Sequence, residues 1–160
     1  MSMFKVIKDF LEPEDFKALK SFLISEDVEW HYHPKTDPKT DKEWFNHCFF
    51  TDNNITSHAF KLVQPVIQKL EGKAIIRIRA NLDIRNPKIY QCSYHTDYPF
   101  ECKTAILYMT DCNGGTQFKK PNKKVLCKEN QIVIFDSQTQ HSAITQTDAK
   151  QKIVLNINYF

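Results

Sequence analysis

Apolar residues recur along this chain at two spacings, and the change from one to the other falls near Ala74. Ahead of it, Phe16, Leu19, Phe22 and Leu23 follow the helical repeat that gathers side chains on one face. That helix should start near Glu12-Pro13. Proline suits a first helical turn, and Glu14 and Asp15 put negative charge at the positive end of the helix dipole. Its stripe is expected to pack on a sheet. Phe60, Val63, Ile67 and Leu70 repeat the spacing and predict a second helix over about residues 55–70, kinked or broken at Pro65 and stopped by Gly72. Between the helices, residues 27–54 carry Trp30, His31, Tyr32, His33, Trp44, Phe45, His47, Phe49 and Phe50, with Pro34 and Pro38 in their middle. A strand, a lysine-rich loop at Lys35–Lys42 and a second strand are expected there.

From Ala74 the period becomes two. Ile76, Ile78 and Ala80 alternate with Arg77 and Arg79, and every later segment reads as a strand, including residues 88–94. Gly114-Gly115 is expected to make a turn. Lys119, Lys120, Lys123, Lys124 and Lys128 surround Pro121-Asn122 like a solvated hairpin tip. Short strands behind two helices predict a mainly β fold, an antiparallel sandwich closed as a jelly roll and braced by the helices. One domain over 1–160 is expected, with a helical and aromatic half, 1–73, ahead of a β core, 74–160.

Composition narrows the class. At 41% hydrophobic and 26% charged, 160 residues can bury a core of their own. A net charge of +3 is too small to argue for nucleic acid as partner. No apolar run approaches the roughly 20 residues that span a membrane, and the start lacks a signal-peptide core. Cys48, Cys92, Cys102, Cys112 and Cys127 form no Cys-x-x-Cys pair, which fits free thiols in a reducing, cytoplasmic setting.

The chemistry gathers at Ser93-Tyr94-His95-Thr96-Asp97. On an extended strand His95 and Asp97 would share a face, and a distant histidine would complete the two-histidine, one-carboxylate set of non-haem Fe(II) sites. His-x-Asp alone is weak evidence, because short motifs arise by chance. His141, after the run Gln131-Ile-Val-Ile-Phe, supplies the third ligand. His31 and His33 repeat the same spacing, but no third ligand follows them at a recognisable distance.

Further features fall in order around these residues: Tyr108 in Ile-Leu-Tyr-Met, then Asn113-Gly-Gly-Thr116, and Lys152 opening Lys-Ile-Val-Leu-Asn-Ile-Asn-Tyr. The set resembles the prolyl-4-hydroxylase-like branch of the 2-oxoglutarate/Fe(II)-dependent dioxygenases over about residues 74–160. The resemblance implies a double-stranded β-helix holding Fe(II) on His95, Asp97 and His141. It implies 2-oxoglutarate with its distal carboxylate on Lys152, Tyr108 and Asn156 donating to it, Asn81 and Thr116 nearby, and O2 as cosubstrate. Asn81 departs from the pattern, since many relatives carry a tyrosine there. Arg79, Tyr98 and Trp44 are candidates for the substrate side, Arg79 alternatively for a salt bridge with Asp83. The implied reaction is decarboxylation of 2-oxoglutarate to succinate and CO2 coupled to C–H hydroxylation. Family members that halogenate lack the carboxylate ligand, so Asp97 disfavours that outcome.

Three functions fit this sequence. The first is hydroxylation of a peptidyl residue, proline by analogy. The second is oxygenation of a free amino acid, small metabolite or nucleobase, and the third is a non-enzymatic jelly-roll binding module. A peptide needs an open groove beside the metal, a small molecule a lidded pocket.

Overall fold

The computed structural model describes residues 4–34 and 43–160, so the loop expected at Lys35–Lys42, with Pro38, lies outside the described part. Helix α1 covers Pro13–Leu23 with Pro13, Glu14 and Asp15 in its first turn. Phe16, Leu19 and Leu23 are buried and Phe22 packs against the same cluster, as the stripe predicted. Truncating Leu19, which is fully buried, should cost about 2–5 kcal/mol.

The strands are β1 (Phe4–Ile7), β2 (His31–His33), β3 (Trp44–Thr51), β4 (Asn54–Ile55), β5 (Ile75–Ile84), β6 (Lys103–Tyr108), β7 (Gly115–Phe118), β8 (Lys123–Leu126), β9 (Gln131–Asp136), β10 (His141–Ile144) and β11 (Gln151–Tyr159). The second helix is shorter than its apolar pattern. Asn54–Ile55 pair with β3, Phe60–Val63 make a 3₁₀ turn, and α2 covers only Gln64–Leu70. Pro65 sits in the first turn of α2, where a missing N–H costs nothing, so it starts the helix instead of kinking it. Glu71, at φ 54°, takes the left-handed stop expected of Gly72.

One sheet has the order β1-β9-β6-β11-β5-β3-β2, with β4 beside β3; the other is β10-β7-β8. All named pairings are antiparallel. Strands β1, β2 and β3 therefore extend the larger sheet at both edges, which ties the N-terminal part of the chain into the same layer as the later strands. Alternation divides that sheet. Ile78, Ala80, Ala105, Leu107, Ile132, Ile153, Leu155 and Ile157 share one cluster with the helices. Ile106, Tyr108, Val133 and Phe135 point the other way, onto Phe118 and Val125 of the smaller sheet and Cys127 just beyond it. Lys152, Asn156, Asn158 and Tyr108 ride on this second, interior face, and His141 and Thr116 come from the smaller sheet that covers it.

Two expectations are corrected here. Gly114-Gly115 is no turn, because Gly115 opens β7 and neither glycine has positive φ. Their role is close approach: a Cβ on Gly115 would lie 2.2 Å from Val125 O, and one on Gly114 2.8 Å from Ile144 O and 3.2 Å from Lys152 Cδ. Nor do residues 88–94 form a strand. Their run takes the open edge of the smaller sheet through isolated bridges, Gln91 with Ile144 and His95 with His141. The lysine cluster does make a hairpin, β7–β8, with its turn at residues 119–122. The five cysteines are free thiols. Among the described residues no helix is long and apolar enough to cross a membrane.

Candidate active site

His95 and His141 are held by reciprocal backbone hydrogen bonds, 2.9 and 3.0 Å, which face their rings to one another at 4.5 Å between centroids. Asp97 N donates to Ser137 O at 3.0 Å, so the chain keeps its course for two more residues. Asp97 Oδ1 then lies 3.7 Å from His95 Nε2 and 3.6 Å from His141 Nε2. One donor atom from each residue fits within a 4.8 Å span, and among the described residues no other three His, Cys, Asp or Glu come together in this way. Two donors about 2.1 Å from one ion stand at most about 4.2 Å apart, and both Asp97–histidine separations fall inside that limit.

The surrounding hydrogen bonds prepare these donors. His141 Nδ1 lies 2.9 Å from Thr139 O, and donating its proton there leaves the Nε2 lone pair facing the centre. Asp97 Oδ2 accepts from Thr104 Oγ1 at 3.0 Å, Asn156 Nδ2 at 3.2 Å and Asn158 Nδ2 at 2.8 Å. That oxygen is spent, and Oδ1 is left for a metal. Burial would raise the Asp97 pKa, but the His141 charge and these hydrogen bonds outweigh it and hold the carboxyl below its usual range. Burial also lowers His141, which favours the neutral ligand form. His95 is the open side, its side chain 54% exposed.

Deeper in the barrel, Lys152 is buried, and its Nζ lies 2.8 Å from both Ile144 O and Asp83 Oδ2. Burial lowers its pKa, but the Asp83 carboxylate outweighs this and raises it above the ordinary value. The expected partner of Asp83 was Arg79, and the structure gives it Lys152, its register neighbour on β11. Tyr108, fully buried, donates to Thr116 Oγ1 at 2.8 Å. Asn156 spends an amide N–H on Asp97. Asn81 Oδ1, Asn156 Oδ1 and Gln146 Oε1 are buried and unpartnered. Buried polar atoms are normally satisfied, so these face a place for a polar guest.

On the mouth side Arg77 lies over the Tyr98 ring at 5.6 Å and Arg79 over the Trp44 ring at 5.0 Å. His33 stacks on Trp44 at 4.4 Å and its Nε2 contacts the Asn46 amide, so the His31/His33 pair is part of an aromatic wall. Sequence reasoning missed Asn158, Thr104 and Arg77. The available signal was polar residues alternating with apolar ones in Asn156-Ile-Asn158 on a strand that is otherwise apolar.

No protein-family model matches the chain, and no curated protein matches it in sequence. Solved structures do match. A viral collagen prolyl hydroxylase from Paramecium Bursaria Chlorella virus-1, solved as a 2-oxoglutarate complex, is 13% identical with TM-score 0.69 over 99% of this chain and 97% of its own. A Burkholderia pseudomallei oxidoreductase of the 2OG-Fe(II) oxygenase family is 8% identical with TM-score 0.75, covering 98% and 84%. A Trichoplax adhaerens prolyl hydroxylase, in complex with a hypoxia inducible factor peptide fragment, is 11% identical with TM-score 0.70, covering 98% and 83%. The chain has the fold of the 2-oxoglutarate/Fe(II) oxygenases. Within that class it has the prolyl-4-hydroxylase-like form.

Proposed function

We propose that this protein is a 2-oxoglutarate- and Fe(II)-dependent dioxygenase that hydroxylates a C–H bond, with a peptidyl residue such as proline as the leading substrate. The observation that carries it is the convergence of His95, Asp97 and His141 inside the barrel, with Asp97 Oδ2 fully hydrogen-bonded and Oδ1 left for the ion. These three residues would hold Fe(II), whose chemistry when bound is activation of O2 at the expense of the 2-oxo acid.

The cosubstrate fits with one qualification written into the residues. Lys152 uses two of its three N–H donors on Ile144 O and Asp83, so one remains for the distal carboxylate. The Thr116 hydroxyl, having accepted from Tyr108, still has its own proton to donate. Asp83 must share Lys152 with an anion, and this weakens the site relative to a free lysine. Substrate C–H, 2-oxoglutarate and O2 would become C–OH, succinate and CO2. The peptide reading draws on the open side at His95 and on the peptide-bound neighbour of the same fold. A cytoplasmic setting is part of the same proposal and draws on the free thiols.

Anaerobic addition of Fe(II) and 2-oxoglutarate should produce the weak visible charge-transfer band of a bidentate chelate, and His95→Ala should abolish it. A protein that binds the metal without the band would be a binding module.

A further inference from the structure

The wall beside the metal site carries more positive charge than its own residues neutralise. Arg77 and Arg79 stand two apart on the interior face of β5, where Arg79 is the register partner of Asn156 and Arg77 of Asn158. Arg77 is engaged, its Nη2 donating to Asn158 Oδ1 at 3.0 Å and so turning the Asn158 amide toward Asp97. Arg79 is not. Its Nε, like that of Arg77, is buried with no hydrogen-bond partner, but Arg79 has no counterpart to the Arg77–Asn158 bond, and among the described residues no carboxylate forms an ion pair with it. Burial, helped by the Arg77 charge, pushes its pKa down to about 10. The Trp44 face is its visible support.

A guanidinium held in this way costs stability unless something pairs with it. Asp97 cannot, because its charge belongs to the metal. Lys152 and Asp83 already cancel one another. With a divalent ion and a dianionic cosubstrate in place, Asp97 included, the centre is left with one negative charge against the two guanidiniums. One positive charge remains unanswered, and Arg79 holds the donors to receive it.

Resting on the dioxygenase reading, we propose that the primary substrate carries a carboxylate close to the C–H bond that is oxidised, and that Arg79, braced on Trp44, binds it. A single free guanidinium beside an engaged one suits a monoanion gripped by two parallel N–H donors. That carboxylate belongs either to an acidic side chain of a peptide or to a free amino-acid-like molecule; both present the same group to Arg79.

The test uses anaerobic protein loaded with Mn(II) and saturated with 2-oxoglutarate, titrated calorimetrically with two matched pairs. N-acetylproline against its amide reports a free acid, and capped Asp-Pro against capped Asn-Pro reports an acidic peptide. At least one acid should bind about tenfold or more tighter than its amide, and Arg79→Gln should erase that preference while Arg79→Lys keeps part of it. Because Arg79 is an unpaired buried charge, Arg79→Gln should also hold or raise the Tm of the ligand-free protein. A purely structural arginine would lower it.

Equal binding of acid and amide in both pairs, or no binding of either acid, overturns the proposal. So does an acid preference that survives Arg79→Gln. Loss of 2-oxoglutarate binding in Arg79→Gln would show Arg79 to be a cosubstrate residue instead. Failure of wild-type protein to bind 2-oxoglutarate with metal is a different result, and it removes the dioxygenase reading and this inference together.

Discussion

Lys152 Nζ and Asp83 Oδ2 meet at 2.8 Å inside the barrel, on directly opposed residues of β11 and β5. The cation expected to hold the cosubstrate is therefore already paired. Breaking a buried pair by deleting one partner typically costs about 3–5 kcal/mol, so Lys152→Ala and Asp83→Asn should both lower the Tm. Their ligand binding should separate them. Lys152→Ala should lose 2-oxoglutarate affinity, whereas Asp83→Asn, freed of the competing carboxylate, should gain about tenfold in isothermal titration with Mn(II). Normal affinity in Lys152→Ala would remove that residue from the site.

Asn158 holds Asp97 without being a ligand itself. Asn158→Leu strips one hydrogen bond from Asp97 Oδ2 and lets the carboxyl pKa rise. Metal affinity should fall about 10–100-fold, the usual effect of losing a partner behind a ligand, and the loss should deepen as the pH is lowered. Calorimetric Zn(II) binding at two pH values checks both parts.

Gly114 carries no side chain because Ile144 O, the carbonyl that receives Lys152 Nζ, lies 2.8 Å from where its Cβ would be. Gly114→Ala should displace that carbonyl and weaken 2-oxoglutarate binding together with stability. Gly115→Ala meets backbone at 2.2 Å and should be more damaging to the fold, with soluble yield and Tm as readouts.

His47 is buried between Glu29 O at 3.0 Å and Ser57 Oγ at 2.8 Å, and burial lowers its pKa below the usual 6.5. Ser57 Oγ also accepts from Ala59 N, so its own proton is free to go to His47 Nε2, and the ring is held neutral. A depressed folded pKa means that the unfolded chain takes up the proton first. The stability His47 contributes is complete above 6.5 and is lost as the pH falls through its folded value. Thermal melts of metal-free protein should show a smaller acid-induced drop in His47→Gln than in wild type, from a lower Tm at high pH.

What the sequence determined by itself was whatever local physics writes into neighbouring residues. The stripe on α1, the alternation of β5 and β11 and the order His95, Asp97, His141, Lys152 were legible because side-chain direction repeats every 3.6 or two residues. The inward face of Arg79, Asn81, Lys152 and Asn156 followed from the same rule.

What only the tertiary structure decided was who stands opposite whom. Register across a sheet is set by packing far along the chain, so nothing near Asp83 announced Lys152 as its partner, and nothing near Arg79 announced that it would pair with no carboxylate among the described residues. The two glycines looked like a turn because composition cannot tell a bend from a close approach of strands. His95 is placed by a single bridge to His141 of β10 and Asp97 by one backbone hydrogen bond to Ser137, not by a regular strand. Pairing, and with it the charge left over for a substrate, is a property of the assembled sheets.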